Sequence, residues 1–434
     1  MTGVQTCALP ISGPWSFLLV LLFRIAEGVI DLNFINVSTY SPRQCGLASF
    51  SKDLRGSLVK DGHKVSIAAI SDKDYAYPPE VYCEIKQNTK EDYCQAAYKI
   101  NNSPQIQMVI IQHEYGIFGG PDGNFVFDFV AHIDKPFLLV THTVLPHPTA
   151  GQRVILQILA RQAAAVVCMT GRSARLLNSI YGVSMDKVAI IPHGVPPFER
   201  KDREGLKMLY GYTGRKLIAT FGLIGPSKGL EIGIKAVERL VDRHPDVLYL
   251  IAGKTHPVLL EKEGESYRQS LIEMCADRGL DKHVQFINHF LEVEELGDLL
   301  YMTDVYLCPY PNRDQAVSGT LAYAVGCGRA IVSTPFEYAL DLLKKHKLGL
   351  VVPEASSEAI SKYLDQVLSR QTLKKSLEKK ASAYGETISW PGVAARYADL
   401  AIEVRRSREL GRVVNEKFIG DSLASAAKRQ GSWR

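Results

Sequence analysis

Several things are scarce in this sequence, and each scarcity closes a class of function. Cysteine is one: the eight residues in a chain of 434 (Cys7, Cys45, Cys83, Cys94, Cys168, Cys275, Cys308, Cys327) stand at irregular spacings without a C-x-x-C pair. That pattern offers neither a zinc knuckle nor a disulfide framework, and it predicts reduced, mostly buried thiols of a cytoplasmic protein. Charge of one sign is also scarce. The net charge of +5 is spread along the chain, with no basic block beyond pairs such as Lys344-Lys345 and Lys379-Lys380, so no nucleic-acid partner is expected. Long apolar runs are absent too: the run from Trp15 to Phe23 is well below the ~20 residues that span a bilayer, although it matches a signal-peptide core. Finally, no G-x-G-x-x-G follows an opening strand and no G-x-x-x-x-G-K-[ST] occurs, which argues against a dinucleotide oxidoreductase and a P-loop ATPase.

What is present is a repeated rhythm. From Leu32 onward short apolar, β-rich runs alternate with helical patterns, as in βαβ units of a parallel sheet. The expected strands of a first domain are Asn33 to Thr39, Lys64 to Ile70, Met108 to Gln112, Phe137 to Thr141, Ala165 to Met169 and Val188 to Pro192. A charged passage from Phe198 to Arg215 breaks the rhythm. A second series then runs Lys216 to Gly222, Val247 to Gly253, Val284 to Ile287, Val305 to Pro309 and Ala330 to Ser333. The fold class is therefore α/β, two tandem Rossmann-like doubly wound domains with a cleft between them. The expected divisions are 32–200, a linker at 201–215, 216–388, a helix at 389–409 and a polar tail at 410–434. Residues 1–31 stand apart, because Met1 to Ser12 resembles the translation of a sequencing-library adapter, and the native chain is expected to begin near Leu32.

Three strand-to-helix turns carry the chemistry. In the first, Phe221-Gly222-Leu-Ile-Gly-Pro-Ser-Lys228-Gly229 joins a buried strand to a helical pattern at Leu230, Ile234, Val237 and Val241. A glycine-rich turn at a helix start offers free N–H groups and a partial positive charge to an anion, and Lys228 adds a full one. In the second, Ser318-Gly319-Thr320 opens an apolar helix after the strand Val305 to Pro309, and two such termini on one sheet edge suit a diphosphate. In the third, Tyr40-Ser-Pro-Arg43-Gln-Cys-Gly46 follows the opening strand, with Arg43 as a clamp candidate. His142, in Val-Thr-His-Thr, and His113-Glu114, in Gln-His-Glu-Tyr-Gly, end two further strands.

These residues resemble the retaining glycosyltransferases of family 4, which have the GT-B fold, in a divergent bacterial subgroup. The likeness rests on Gly222 to Gly229, on Ile190-Ile-Pro-His-Gly194-Val195 before the hinge, and on Ser389-Trp390-Pro391 at the start of a crossing helix, and it covers nearly all of Leu32 to Val404. It implies transfer of a sugar from a nucleotide diphosphate sugar to a hydroxyl of a glycan or polyol acceptor, lipid-linked acceptors and peripheral membrane contact included. Lys228 and His142 would be catalytic. Gly46, Gly222, Gln315, Ser318, Gly319, Thr320 and Tyr323 would bind the donor, and Arg43, His113 and Glu114 would serve the acceptor side. Neither a cofactor nor a metal is implied: the departing diphosphate takes the acceptor's proton, so the protein positions groups and stabilises charge. Asp72-Lys-Asp74 has the spacing of a metal site of another fold and reads as chance.

The family pattern is not complete. An arginine usually follows the loop glycine where this chain has Leu223, and two glutamates usually occupy the positions of Gln315 and Tyr323. The losses motivate one alternative, a degenerate protein that binds nucleotide sugar or a partner without turnover. A phosphorylase or epimerase on the same fold is weighed as well, but the chain lacks the length of the first and the acidic proton-abstracting residues of the second.

Overall fold

The computed structural model describes residues 31–409; the adapter-like segment apart from Asp31, and the tail from 410, lie outside the described residues. Two all-parallel sheets form. In the first, β1 (Asn33–Ser38), β2 (Lys64–Ser71), β3 (Val81–Lys86), β4 (Met108–His113), β5 (Phe137–Thr141), β6 (Ala165–Cys168) and β7 (Val188–Ile190) lie in the order β3-β2-β1-β4-β5-β6-β7. In the second, β8 (Lys216–Phe221), β9 (Val247–Ala252), β10 (Val284–Ile287), β11 (Val305–Cys308), β12 (Ala330–Ser333) and β13 (Leu350–Val351) lie in the order β10-β9-β8-β11-β12-β13.

Central strands such as Val247-Leu-Tyr-Leu-Ile-Ala252 are buried on both faces, and that is why they read as unbroken apolar runs. Two strands escape the sequence reading for opposite reasons. Edge strand β3 is half solvated, with Ile85 its one buried residue, so its polar alternation hides it. β13 is too short to leave a pattern. The passage expected to be a plain linker holds a helix, Arg203–Leu209, capped by the Asp202 carboxylate on the Gly205 amide. Lys207 of this helix and Lys374 of the helix Gln371–Thr387 both pair with buried Asp304. Seven cysteines are described, all free thiols; Cys168, Cys275, Cys308 and Cys327 are buried, the other three half-buried.

The chain crosses between the domains twice, and the two crossings are stitched together. The Val195 amide donates to the Ile388 carbonyl at 2.9 Å, and the Trp390 amide returns the bond to the Val195 carbonyl at 2.9 Å. The last helix, Trp390–Glu409, then lies on the first domain, where Trp390, Val393, Tyr397 and Ala401 pack with Phe50, Leu54 and Leu58 of the helix Gly46–Lys60. A Cβ at Gly194 would come within 2.2 Å of the Trp390 indole, so the His-Gly-Val segment needs glycine there. Burying an aromatic of this size contributes roughly 2–3 kcal/mol. The second domain is thus tied to the first at both ends.

Candidate active site

Each sheet reverses its strand order once, between β1 and β4 in the first and between β8 and β11 in the second. At a reversal the neighbouring loops leave in opposite directions and open a crevice at the carboxyl edge of the sheet. Loops from both crevices line one cleft of about 600 Å³, within the range of small-molecule sites.

The second domain supplies the charged wall. After β8, Gly222 takes φ 125°, a conformation other residues resist, and its bare Cα face lies against Lys228, whose Nζ would be 3.4 Å from any Cβ. The Lys228 ammonium donates to the Tyr310 hydroxyl at 3.0 Å and sits 4.5 Å from the centre of that ring. Tyr310 in turn bonds Thr320 Oγ1 at 2.8 Å, and Thr320 bonds Ser318 Oγ at 3.1 Å. Ser318 caps the helix Gly319–Gly326 by accepting from the Leu321 amide. One lysine and a row of hydroxyls therefore converge on a helix N-terminus that lines the cleft. The helix beyond Lys228 behaves differently from the expectation: a 3-10 turn, Pro226–Lys228, intervenes, and the helix Leu230–Glu238 starts with residues that do not line the cleft. His256 also lines this wall, and burial together with the Lys228 charge lowers its pKa.

The first domain supplies a wall of buried imidazoles and one carboxylate, Glu114. His142 lines the cleft at the end of β5, and burial, with smaller effects of His193 and His113, pushes its pKa down to about 3. His193, from the loop after β7, is pushed down to about 4 by burial and makes an edge contact with Phe50 at 5.2 Å between ring centres. Glu114 lines the cleft with its carboxylate accepting from Thr143 Oγ1 at 2.5 Å and from the Tyr115 amide at 3.1 Å; burial raises its pKa.

Where the walls meet, Asp53 of the first domain accepts from Tyr323 Oη of the second at 3.3 Å and from Trp390 Nε1 of the last helix at 3.1 Å. Burial raises the Asp53 carboxyl to about 6. A second seam pairs Arg172 Nε of the first domain with Glu337 Oε2 of the second at 3.3 Å, and burial raises Glu337 to about 7.

Of the residues singled out from sequence, Lys228, His142, Gly46, Gly222, Gln315, Ser318, Gly319, Thr320, Tyr323 and Glu114 all line this cleft. Arg43 does not: its guanidinium is spent on the Ile70 carbonyl, the Gln87 side chain and Asp72. His113 is buried behind the wall between Tyr115 and Phe118, with neither ring nitrogen hydrogen-bonded. Leu223 lines the cleft where the family has arginine, the Gln315 amide turns back to the Val317 carbonyl, and Tyr323 reaches Asp53. The carboxylates of Asp72 and Asp74 are paired with Arg43 and Lys86. Sequence reading assigned no role to His193, Tyr310 or Asp53, although His193 stands inside the Ile190 to Val195 segment and Tyr310 directly after the strand that ends at Pro309.

Two doubly wound domains that share a cleft, with the last helix crossing back onto the first, make this a protein of the GT-B class. Residues 45–197 match the model described as Glycosyltransferase Family 4, and residues 210–384 match the one described as Glycosyl transferases group 1. Each domain thus matches a glycosyltransferase family model, and the pair of matches supports a GT-B glycosyltransferase. Similar curated proteins include a D-inositol 3-phosphate glycosyltransferase of Jonesia denitrificans, 24% identical over 57% of this chain and 59% of that protein. A GDP-mannose-dependent alpha-(1-6)-phosphatidylinositol monomannoside mannosyltransferase of Mycolicibacterium smegmatis is 26% identical over 55% of this chain and 59% of its own. The chain thus spans a little over half the length of these relatives. Among solved structures, a glycosyltransferase of Rickettsia africae superposes with a TM-score of 0.70 at 15% identity, covering 87% of this chain and all of that one. Anabaena HepE in complex with UDP and glucose gives 0.65 at 14% identity, covering 85% and 98%; both likenesses concern the fold. No helix among the described residues is long and apolar enough to cross a membrane.

Proposed function

We propose that this protein transfers a sugar from a nucleoside diphosphate sugar to a hydroxyl of a glycan or polyol acceptor, with retention of configuration and without a metal or cofactor. The observation that carries the reading is the chain Lys228, Tyr310, Thr320, Ser318, which ends on a helix N-terminus in the cleft. That arrangement is suited to a leaving diphosphate: the ammonium and the free amides meet charge as it develops and need no reorganisation. As the glycosidic bond to the donor breaks, the departing phosphate oxygen takes the proton of the acceptor hydroxyl, which bonds to the anomeric carbon on the same face. The buried imidazoles and hydrogen-bonded carboxylate of the first wall suit sugar hydroxyls, which both donate and accept hydrogen bonds. Relatives named for inositol-based acceptors favour a polyol or lipid-linked glycan on that side.

A thermal-shift screen of UDP, GDP, ADP and CDP tests the reading, since a ligand at a hundred times its Kd stabilises the folded state by about 2.7 kcal/mol. One nucleoside diphosphate is expected to raise Tm clearly above the others. If none does, the reading fails. Binding without transfer to any of a panel of sugars and polyols selects the second reading, a non-catalytic binder, which Leu223, Gln315 and Tyr323 in the cleft favour.

A further inference from the structure

Behind His142 runs a line of buried amides. His142 Nε2 lies 2.8 Å from Gln112 Oε1, and Gln112 Nε2 donates to Asn36 Oδ1 at 3.1 Å. Asn36 and Gln112 are 1% and 0% exposed, so water does not compete for these bonds. In the orientation the structure shows, Gln112 gives its nitrogen to Asn36, whose own Nδ2 has no partner, and presents its oxygen to the imidazole, where it can only accept. The single proton of the neutral ring therefore sits on Nε2, and Nδ1 keeps its lone pair. The ring is fixed in place as well: the His142 amide donates to the His113 carbonyl at 3.0 Å, and Phe50 meets the imidazole edge-on at 4.8 Å between centres. Nδ1 is thus the ring nitrogen left for the cleft that His142 lines.

We infer that Gln112, oriented by Asn36, is a positioning residue for sugar transfer: it holds His142 in the Nε2–H form so that Nδ1 accepts a hydrogen bond from a hydroxyl of the bound sugar. This rests on the glycosyl-transfer reading of the cleft. The titratable groups facing His142 are His193, from the loop after β7, and His113, on β4, and burial keeps both neutral at pH 7, so neither supplies a competing charge. Glutamine is suited to position 112 and glutamate is not. A carboxylate there would draw a second proton onto the ring, and the cleft-side nitrogen would turn from acceptor to donor.

The tautomer can be read directly in the full chain labelled with 15N-histidine, with the His142 signals assigned by their loss in His142→Gln. The expected spectrum shows a protonated, pyrrole-type Nε2 and a bare, pyridine-type Nδ1, unchanged between about pH 5.5 and 8.5. A proton on Nδ1 would mean that the amides run the other way, and it overturns the inference. UDP-glucose and GDP-mannose are then added in turn. Whichever donor is turned over should shift Nδ1 and leave Nε2 nearly unmoved; turnover with Nδ1 unmoved also overturns it. In Gln112→Glu we expect kcat/KM at pH 7 to fall about tenfold or more, with an ascending limb in the pH profile that the wild type lacks. A folded Gln112→Glu with a flat profile and wild-type activity counts against the inference, and if that variant does not fold, the wild-type spectra decide. If no donor is transferred or moves Nδ1, the glycosyl-transfer reading is what fails, while the tautomer still reports on Gln112.

Discussion

The second-domain wall of the cleft presents a fixed cation wired to hydroxyls and a helix terminus, whereas the first-domain wall presents imidazoles that burial keeps neutral. The contrast fits the proposed transfer, in which the second wall meets a diphosphate and the first a sugar. A diphosphate carries its charge wherever it binds, so a lysine and aligned amides stabilise it strongly. A sugar hydroxyl is neutral, and a buried cation beside it would cost desolvation energy without a partner to offset it. On the proposed reading, the division of labour between the domains shows as a difference in charge.

The largest effect should come from removing the cation. Lys228→Ala is expected to lower turnover by ~10²-fold or more while leaving the melting temperature nearly unchanged, and steady-state rates with the accepted donor would check it. An unchanged rate would erase the distinction between the walls. Next come the imidazoles of the first wall. Because His142 and His193 are pushed down to about 3 and 4, both are neutral above about pH 5, and kcat/KM should show no histidine limb between about pH 5.5 and 8. A limb near pH 6.5 that His142→Gln abolishes would show that these imidazoles titrate after all.

The seam between the walls gives a smaller, thermodynamic effect. Asp53 titrates at about 6 when folded and nearer 4 when unfolded, so the native state takes up a proton first as pH falls. Stability associated with the protonated carboxyl is complete below about pH 4 and lost as pH rises through about 6. Asp53→Asn should therefore stabilise the protein by about 1–2 kcal/mol at pH 7.5 and flatten its stability between pH 4 and 6, as measured by denaturant unfolding. Smallest is Tyr310→Phe, which deletes the hydroxyl between Lys228 and Thr320 but keeps the ring beneath the ammonium. A loss of about 1 kcal/mol, or several-fold in kcat, is expected; a loss as large as that of Lys228→Ala would move the main role from the lysine to the tyrosine.

Much of this was legible in the chain. Parallel strands buried on both faces are apolar runs, so eleven of the thirteen strands could be read directly, and the turns after β8 and β11 declared themselves through glycine, lysine and capping hydroxyls. The failures are equally physical. β3 lies at an edge, where one face is wet and the apolar signal thins. Arg43 follows β1 in the right kind of loop, yet Asp72 and Gln87, distant in sequence, pull it out of the cleft. His113 and His142 both stand at strand ends, and no local pattern says which one lines the cleft and which is packed between Tyr115 and Phe118.

Sequence by itself determined the two α/β series, the break in their rhythm near residue 200 and the glycine- and hydroxyl-bearing turns after β8 and β11, because each is written in residues adjacent along the chain. Only the tertiary structure decided which groups meet. Asp53 with Tyr323 and Trp390, Lys228 with Tyr310, and Asn36 with Gln112 and His142 join positions from 30 to 337 residues apart. Burial then sets the charge of each group, and burial is a property of the packed molecule that a single stretch of sequence does not carry.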